Sequence, residues 1–255
     1  MAILVFHHAD EKFHLGLNNF SQKRFRHLLK ILIDAGIGFL DLKNYWELDN
    51  KSKTVSITFD DGMESFYYHI WPILSELSIP CTIFIPAGFI GKTNRWDYVH
   101  IARKSNHLTH HQIKELSENN IDIGSHGLSH TSLIELPNRL LNLELTRSKK
   151  ILEDITGKYV DSISYPFGRY NSRVEQFCSM AGYKKGLGMS AGVNQGGFTI
   201  ARKAVYSMDT PFSIFQKISK GFFSKIEEYK GKILNQYSYG TVIYNQLRSF
   251  PQILD

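Results

Sequence analysis

Two periodicities alternate along this chain. Short, almost continuously apolar runs occupy Ala2–Phe6, residues 37–42, Thr54–Phe59, and residues 81–86, 121–124, 162–165 and 183–187. Between them apolar residues recur every three or four positions, as in Phe20, Phe25, Leu28, Leu29 and Leu32. The first pattern predicts buried strands, the second amphipathic helices over 19–35, 64–77, 109–119, 136–156 and 172–181. Thr109 is placed to cap the third helix, and Gly157 and Gly182 to stop the last two. About seven strand-then-helix repeats predict parallel strands joined by crossover helices, because strands covered on both faces are apolar on both. A closed or nearly closed β/α barrel is the expected architecture. The alternative is an open doubly wound sheet, but no Gly-x-Gly-x-x-Gly follows a strand to make a dinucleotide site.

Composition narrows the class. With 255 residues and 42% hydrophobic content the chain reads as one globular catalytic-sized unit over 1–255, with 211–255 as a C-terminal helical extension packed on the barrel. No apolar stretch is long enough to cross a bilayer, and Met1–His7 has neither a basic region nor a small-residue cleavage site. The expectation is a cytoplasmic protein, or a secreted or periplasmic one if the N-terminus has been truncated. The two cysteines, Cys81 and Cys178, read as reduced core residues, so thiolate metal sites and dithiol chemistry drop out. A net charge of +6 suits an anionic glycan, a lipid-linked sugar phosphate or a membrane surface. No basic block is interleaved with aromatics, so nucleic acid is not an expected partner. The oligomeric state is not specified.

Polar residues concentrate where apolar runs end. His7 follows the first run, Asp60-Asp61 the run 54–59, His126 the run 121–124, and Pro166-Phe167-Gly168 the run 162–165. In a β/α barrel these C-terminal strand ends converge on one face. Asp61, His126 and His130 make a two-histidine, one-carboxylate set with positions left open for water or substrate. Asp60, its neighbour, is then free to act as a general base. Taken singly, Asp-Asp-Gly is also a common turn and each histidine an ordinary one. The conjunction at strand ends favours the metal reading.

These residues carry a family resemblance. Thr58-Phe59-Asp60-Asp61-Gly62 resembles the Thr-Phe-Asp-Asp-Gly signature of NodB-homology polysaccharide deacetylases, carbohydrate esterase family four. His126 to His130 resembles that family's His-x-x-x-His motif, and Tyr165-Pro166-Phe167-Gly168 its Pro-aromatic-Gly motif. The resemblance covers roughly residues 3–205. It implies a distorted (β/α)7-type barrel with Asp60 as base, Asp61, His126 and His130 as metal ligands, and Tyr165, Pro166 and Phe167 lining the acetyl site near the oxyanion. The implied metal is zinc, with cobalt, nickel, manganese or iron able to occupy the same donor set.

Departures from the pattern narrow it further. Ser164 stands where typical members have arginine, the Asp-x-x-Asp-Trp motif is missing, and no histidine follows His130 to supply the late general acid. The start Ile3-Leu4-Val5-Phe6-His7 resembles that of the subgroup containing poly-N-acetylglucosamine deacetylases, which implies His7 as the general acid, with His8 second. Arg202 falls where that subgroup often has an arginine, and is expected to pair with Asp60 and hold it ionised, unless it is an ordinary surface residue. Asn171 reads as a helix cap rather than a substrate contact.

The expected activity is metal-dependent removal of an N-acetyl group from an amino sugar in a glycan, oligosaccharide or glycolipid. Two rivals stand beside it: a non-catalytic glycan-binding module on a decayed deacetylase fold, and a non-haem iron enzyme. Trp96, Tyr98 and Arg103 in the loop 88–106 are placed to meet sugars or to pack. The stretch 211–232 mixes Phe212, Phe215, Phe222 and Phe223 with Lys217, Lys220, Lys225 and Lys230. It is expected to pack its aromatic face on the barrel, with weak contact to a membrane surface as the second reading.

Overall fold

The apolar runs do become strands. In the computed structural model, which describes residues 2–8, 19–47, 53–94, 105–189 and 197–219, nine strands form a single parallel sheet. They are β1 (Ala2–Phe6), β2 (Gly38–Phe39), β3 (Thr54–Phe59), β4 (Cys81–Ile85), β5 (Ile121–Ser125), β6 (Ser162–Ser164), β7 (Lys185–Gly188), β8 (Thr199–Ala201) and β9 (Lys203–Ala204). The order runs β1-β3-β4-β5-β6-β7-β8, and β9 returns to pair with β1. Because β8 and β9 are separated only by Arg202, one segment joins β7 on one side to β1 on the other. The result is a nearly closed barrel, with β2 as a side pair at the start of β3.

Among the described residues seven α-helices accompany the strands: α1 (Gln22–Asp34), α2 (Leu42–Glu47), α3 (Trp71–Glu76), α4 (His110–Glu118), α5 (Asn138–Thr156), α6 (Ser172–Met180) and α7 (Pro211–Ile218). Thr109 caps α4 in a reciprocal capping box with Gln112, Asn171 caps α6 through Val174 N–H, and Gly157 ends α5 at φ +67°.

Alternation along each strand sorts the core into two parts. Leu4, Phe6, Val55, Ile57, Phe59, Ile83, Ile123 and Ile163 face the helices in the main core. Ile3, Phe84 and Leu187 form a smaller cluster with Leu42 and Tyr45 of α2. Phe59 stacks on Phe6 at 5.2 Å and meets Phe25 and Phe66 edge-on at 5.6 and 5.0 Å. Such pairs contribute roughly 0.5–1.5 kcal/mol each beyond area burial, and they fix the strand whose next residues are Asp60 and Asp61.

Two expected elements differ, and two short strands were not expected. Residues 37–42 form only the two-residue β2, because Asp41 turns the chain into α2: its Oδ1 accepts the Asn44 N–H at 2.7 Å, an N-cap contact. The helix expected over 64–77 is a π-helical turn, Phe66–Ile70, followed by α3. Pro72 has no N–H to continue an α-helical ladder, so the chain takes a wider turn before it. Strands β8 and β9 escaped the hydrophobic pattern because each is too short to show a period.

Helix α7 buries Ile214, Lys217 and Ile218 and leaves Phe212 exposed, while Phe215 packs partly against the main core. The Lys217 ammonium donates to the Asp209 carboxylate and to Ala204 O, tying α7 to the barrel-closing segment. Phe222, Phe223, Lys220, Lys225 and Lys230 lie outside the described residues, as do Trp96, Tyr98 and Arg103. Removing one partner of this buried pair leaves a charge stranded. Lys217→Met should therefore lower stability by about 3–5 kcal/mol, read as a reduced urea midpoint at unchanged slope. Adding Asp209→Asn should recover part of the loss.

Candidate metal centre

The Asp-Asp-Gly segment leaves β3 through a reversal that forces unusual backbone. Asp61 sits at φ +71° and Gly62 at +56°. Aspartate tolerates the left-handed region better than most residues, and a glycine follows where a Cβ would meet Ile85 within 3.1 Å. The turn is clamped from outside. His107 Nδ1–H donates to Asp61 O at 2.8 Å, and Leu108 N–H donates to Gly62 O at 2.9 Å.

Across the barrel mouth, β5 delivers His126 and a tight turn delivers His130, at φ +54°. Their Nε2 atoms lie 3.5 and 3.3 Å from Asp61 Oδ1. The ligand atoms of the three residues fall within 4.8 Å of one another, and all three side chains are buried. His126 Nδ1–H donates to Ser164 O at 2.7 Å, which leaves Nε2 as the nitrogen that faces Asp61. Two imidazole nitrogens and a carboxylate converging in this way fit a divalent metal, zinc among others. Burial pushes the Asp61 carboxyl up, but hydrogen bonds from His126 and His130, and then the charge of His7, bring it well below the ordinary range. Burial lowers His126, yet Asp60 and Asp61 outweigh it and the group titrates above its usual value. In His130 burial prevails and the shift is downward.

Asp60 faces a different partner. Arg202, from the barrel-closing segment, meets it with both arms: Nη1 to Oδ1 at 2.7 Å and Nη2 to Oδ2 at 2.6 Å. The same guanidinium donates to Thr58 Oγ1 at 3.2 Å and Ser164 Oγ at 2.6 Å, and lies over the Phe84 ring at 5.3 Å. Ser164 Oγ–H donates in turn to Asp60 Oδ2 at 2.9 Å. Burial raises the Asp60 carboxyl, but the charge of Arg202, then that of His126, more than offsets it, so Asp60 titrates below its ordinary value.

The remaining expected residues divide. His7 follows β1 just as Asp60 follows β3, and the two strands pair in parallel with Phe6 beside Phe59, so it stands at the same end of the barrel. His8 is also buried, and its carbonyl accepts the Phe20 N–H at 2.9 Å. Phe167 holds φ +60°, an outlier for an aromatic residue, with its ring 4.9 Å from that of His130. Pro166 is buried against Gly127. Tyr165 is not brought in by its side chain. Strand alternation turns it away from Ser164: its hydroxyl pairs with Thr199 Oγ1 at 2.9 Å, its ring stacks on Tyr170, and it occupies the space over Gly186.

Sequence reasoning missed Glu144, His107 and Thr58, and read Ser164 only as the place of a missing arginine. Glu144 had left a signal. It falls on the apolar stripe of α5 with Leu141, Leu145 and Leu152, where a lone carboxylate needs donors. His107 and Thr58 make contacts with no local pattern.

Comparison with known proteins agrees with this arrangement. Residues 47–186 match the family model described as polysaccharide deacetylase. The Bacillus subtilis protein YxkH is 31% identical over 156 residues, which are 60% of this chain and 52% of that protein. A Staphylococcus aureus poly-β-1,6-N-acetyl-D-glucosamine N-deacetylase is 29% identical over 184 residues, 66% of this chain and 60% of that one. The chain thus spans less than two thirds of either relative. Among solved structures, Streptococcus pyogenes deacetylase PplD in complex with acetate superposes with a TM-score of 0.74 at 23% identity, covering 86% of this chain and 98% of that one; this likeness is one of fold. Asp60, Asp61, His126, His130 and Phe167 all lie inside the matched residues, whereas His7 and Arg202 lie outside them, and the chain belongs to the polysaccharide deacetylase family.

Proposed function

We propose that this protein is a metal-dependent hydrolase that removes an N-acetyl group from an amino sugar in a glycan, oligosaccharide or glycolipid. One observation carries the reading: adjacent carboxylates have separate partners, Asp60 a bidentate arginine and Asp61 two imidazole nitrogens. That division suits one base and one ligand. The relative named as a poly-β-1,6-N-acetyl-D-glucosamine N-deacetylase supports the substrate class.

Asp61, His126 and His130 would hold the metal, whose chemistry is to acidify water and polarise a carbonyl. Asp60, kept ionised by Arg202, takes a proton from the attacking water. His7 gives a proton to the amine nitrogen as the carbon–nitrogen bond breaks, so the products are acetate and a free amine. Phe167 N–H would make the oxyanion contact; in support, Pro166 has no N–H and Gly168 donates its own to Tyr165 O at 2.8 Å.

The test is acetate and formate release from free, nucleotide-linked, lipid-linked and polymeric N-acyl amino sugars, run anaerobically. Release with added zinc supports the reading; a dioxygen requirement points to the iron rival, and sugar binding without release at any metal loading to a non-catalytic module. Asp60→Asn should keep metal and lose roughly 10²–10⁴-fold in turnover, whereas His126→Ala should lose metal as well. Metal content by elemental analysis separates the two.

His7→Gln should lower turnover by roughly 10²-fold with metal content unchanged, and His8→Gln should lower it far less. Equal losses in steady-state assays would remove His7 from the role.

Arg202→Met should move the pH profile in a stated direction. The base works only when ionised, so activity rises as pH climbs through the Asp60 pKa. Arg202 depresses that pKa, and without it burial dominates, so the acidic limb of kcat/KM should shift to higher pH. An unmoved limb would count against Asp60 as the group observed.

A further inference from the structure

Glu144 is a buried carboxylate whose donors all come from one turn, the turn between the two histidine ligands. Leu128 N–H and Ser129 N–H donate to Oε2 at 2.7 and 3.0 Å, and Ser129 Oγ–H donates to Oε1. Two successive backbone N–H groups closing on one oxygen make a nest for an anion, filled here by the protein's own side chain. Gly127 makes room for it: at φ +76°, a Cβ would stand 3.2 Å from Oε2. The histidines flank this nest. His126 is fixed on its far side by Ser164 O, and His130 leaves the turn in the left-handed region.

We propose that Glu144 is a positioning residue of the metal centre: by fixing the turn at 127–129 it sets the spacing and aim of His126 and His130, and with them the affinity for a divalent cation. This rests on the metal-ligand reading above. Glu144 is anchored on α5, a 19-residue helix packed on the barrel, so the turn inherits the rigidity of that helix. A loop held only by its own backbone would let the imidazoles drift, and a loose donor set binds more weakly.

The experiment measures zinc affinity by competition with a chromophoric chelator, beside thermal unfolding of the zinc-free protein. Glu144→Gln keeps the shape but replaces an acceptor with a donor, and zinc should bind about 10- to 100-fold more weakly. Ser129→Ala removes one of the three donors and should give a smaller loss in the same direction; it carries the test if Glu144→Gln does not fold. Leu141→Ala, on the same buried face of α5 but not bonded to the turn, should lower the melting temperature and leave zinc affinity unchanged. Parental zinc affinity in Glu144→Gln, or in Ser129→Ala where only that variant folds, overturns the proposal. So does an equal affinity loss in Leu141→Ala, which would make the effect one of general stability. Asp61→Ala keeps the two claims apart. If it binds zinc as the parent does, the metal-ligand reading itself fails; if it does not, while Glu144→Gln does, only the positioning role fails.

Discussion

The bidentate contact between Arg202 and Asp60 joins residues 142 apart in sequence, and both the barrel and its mouth depend on it. Arg202 is the residue at which the closing segment changes partners, from β7 to β1. Its guanidinium is fully buried and the Asp60 side chain nearly so, and neither charge could stay there alone. The pair also solves a problem set by the motif itself. Two neighbouring buried carboxylates repel, and one would ordinarily take up a proton. With Arg202 on Asp60 and two imidazoles on Asp61, both can remain ionised. Closure of the barrel and the charge state of Asp60 are therefore one constraint.

A second cost is written into the backbone. Asp61, His130 and Phe167 all adopt left-handed conformations, at +71°, +54° and +60°, and all border the same mouth. Each such residue costs on the order of 1–3 kcal/mol and persists only where its surroundings over-determine it. The surroundings here are specific. His107 holds the Asp61 carbonyl, the Phe167 ring meets that of His130, and α5 and β6 approach the histidine turn from two sides. These contacts, all anchored on the barrel, are what hold the three strained residues in place.

What could be read from the sequence follows from how local each feature is. Strands β1, β3 and β4 announced themselves as continuous apolar runs, and Asp60-Asp61 and His126–His130 as polar residues where the runs of β3 and β5 end. The strand that closes the barrel did not, since two- and three-residue strands have no period to detect. Asp41 was hidden as a helix cap inside an apolar stretch. Tyr165 was placed in the site by its motif, yet the alternation that points Ser164 inward must point Tyr165 out. Glu144 was legible in principle, as a charge on an apolar stripe. Thr58 and His107 were not, because their contacts are tertiary: Thr58 Oγ1–H reaches Leu4 O, 54 residues away in sequence.

Ser164 shows how a missing motif residue can be read too quickly as decay. Its hydroxyl stands between Arg202 and Asp60 while its carbonyl accepts the hydrogen bond from His126 Nδ1–H, so one small residue touches both halves of the site. A long side chain at 164 would compete with Arg202 for the same carboxylate oxygens. Serine and an arginine from the closing segment are thus mutually compatible, each making sense of the other. The guanidinium reaches Asp60 by another route, from position 202. His7 extends the same reasoning: no histidine follows His130, and this one stands just past β1, the strand paired with the one that leads to Asp60 and Asp61. Arg202 and His7 both stand on or just past the strands that close the ring, β1 and the β8–β9 segment, rather than in the stretch that carries the family's motifs.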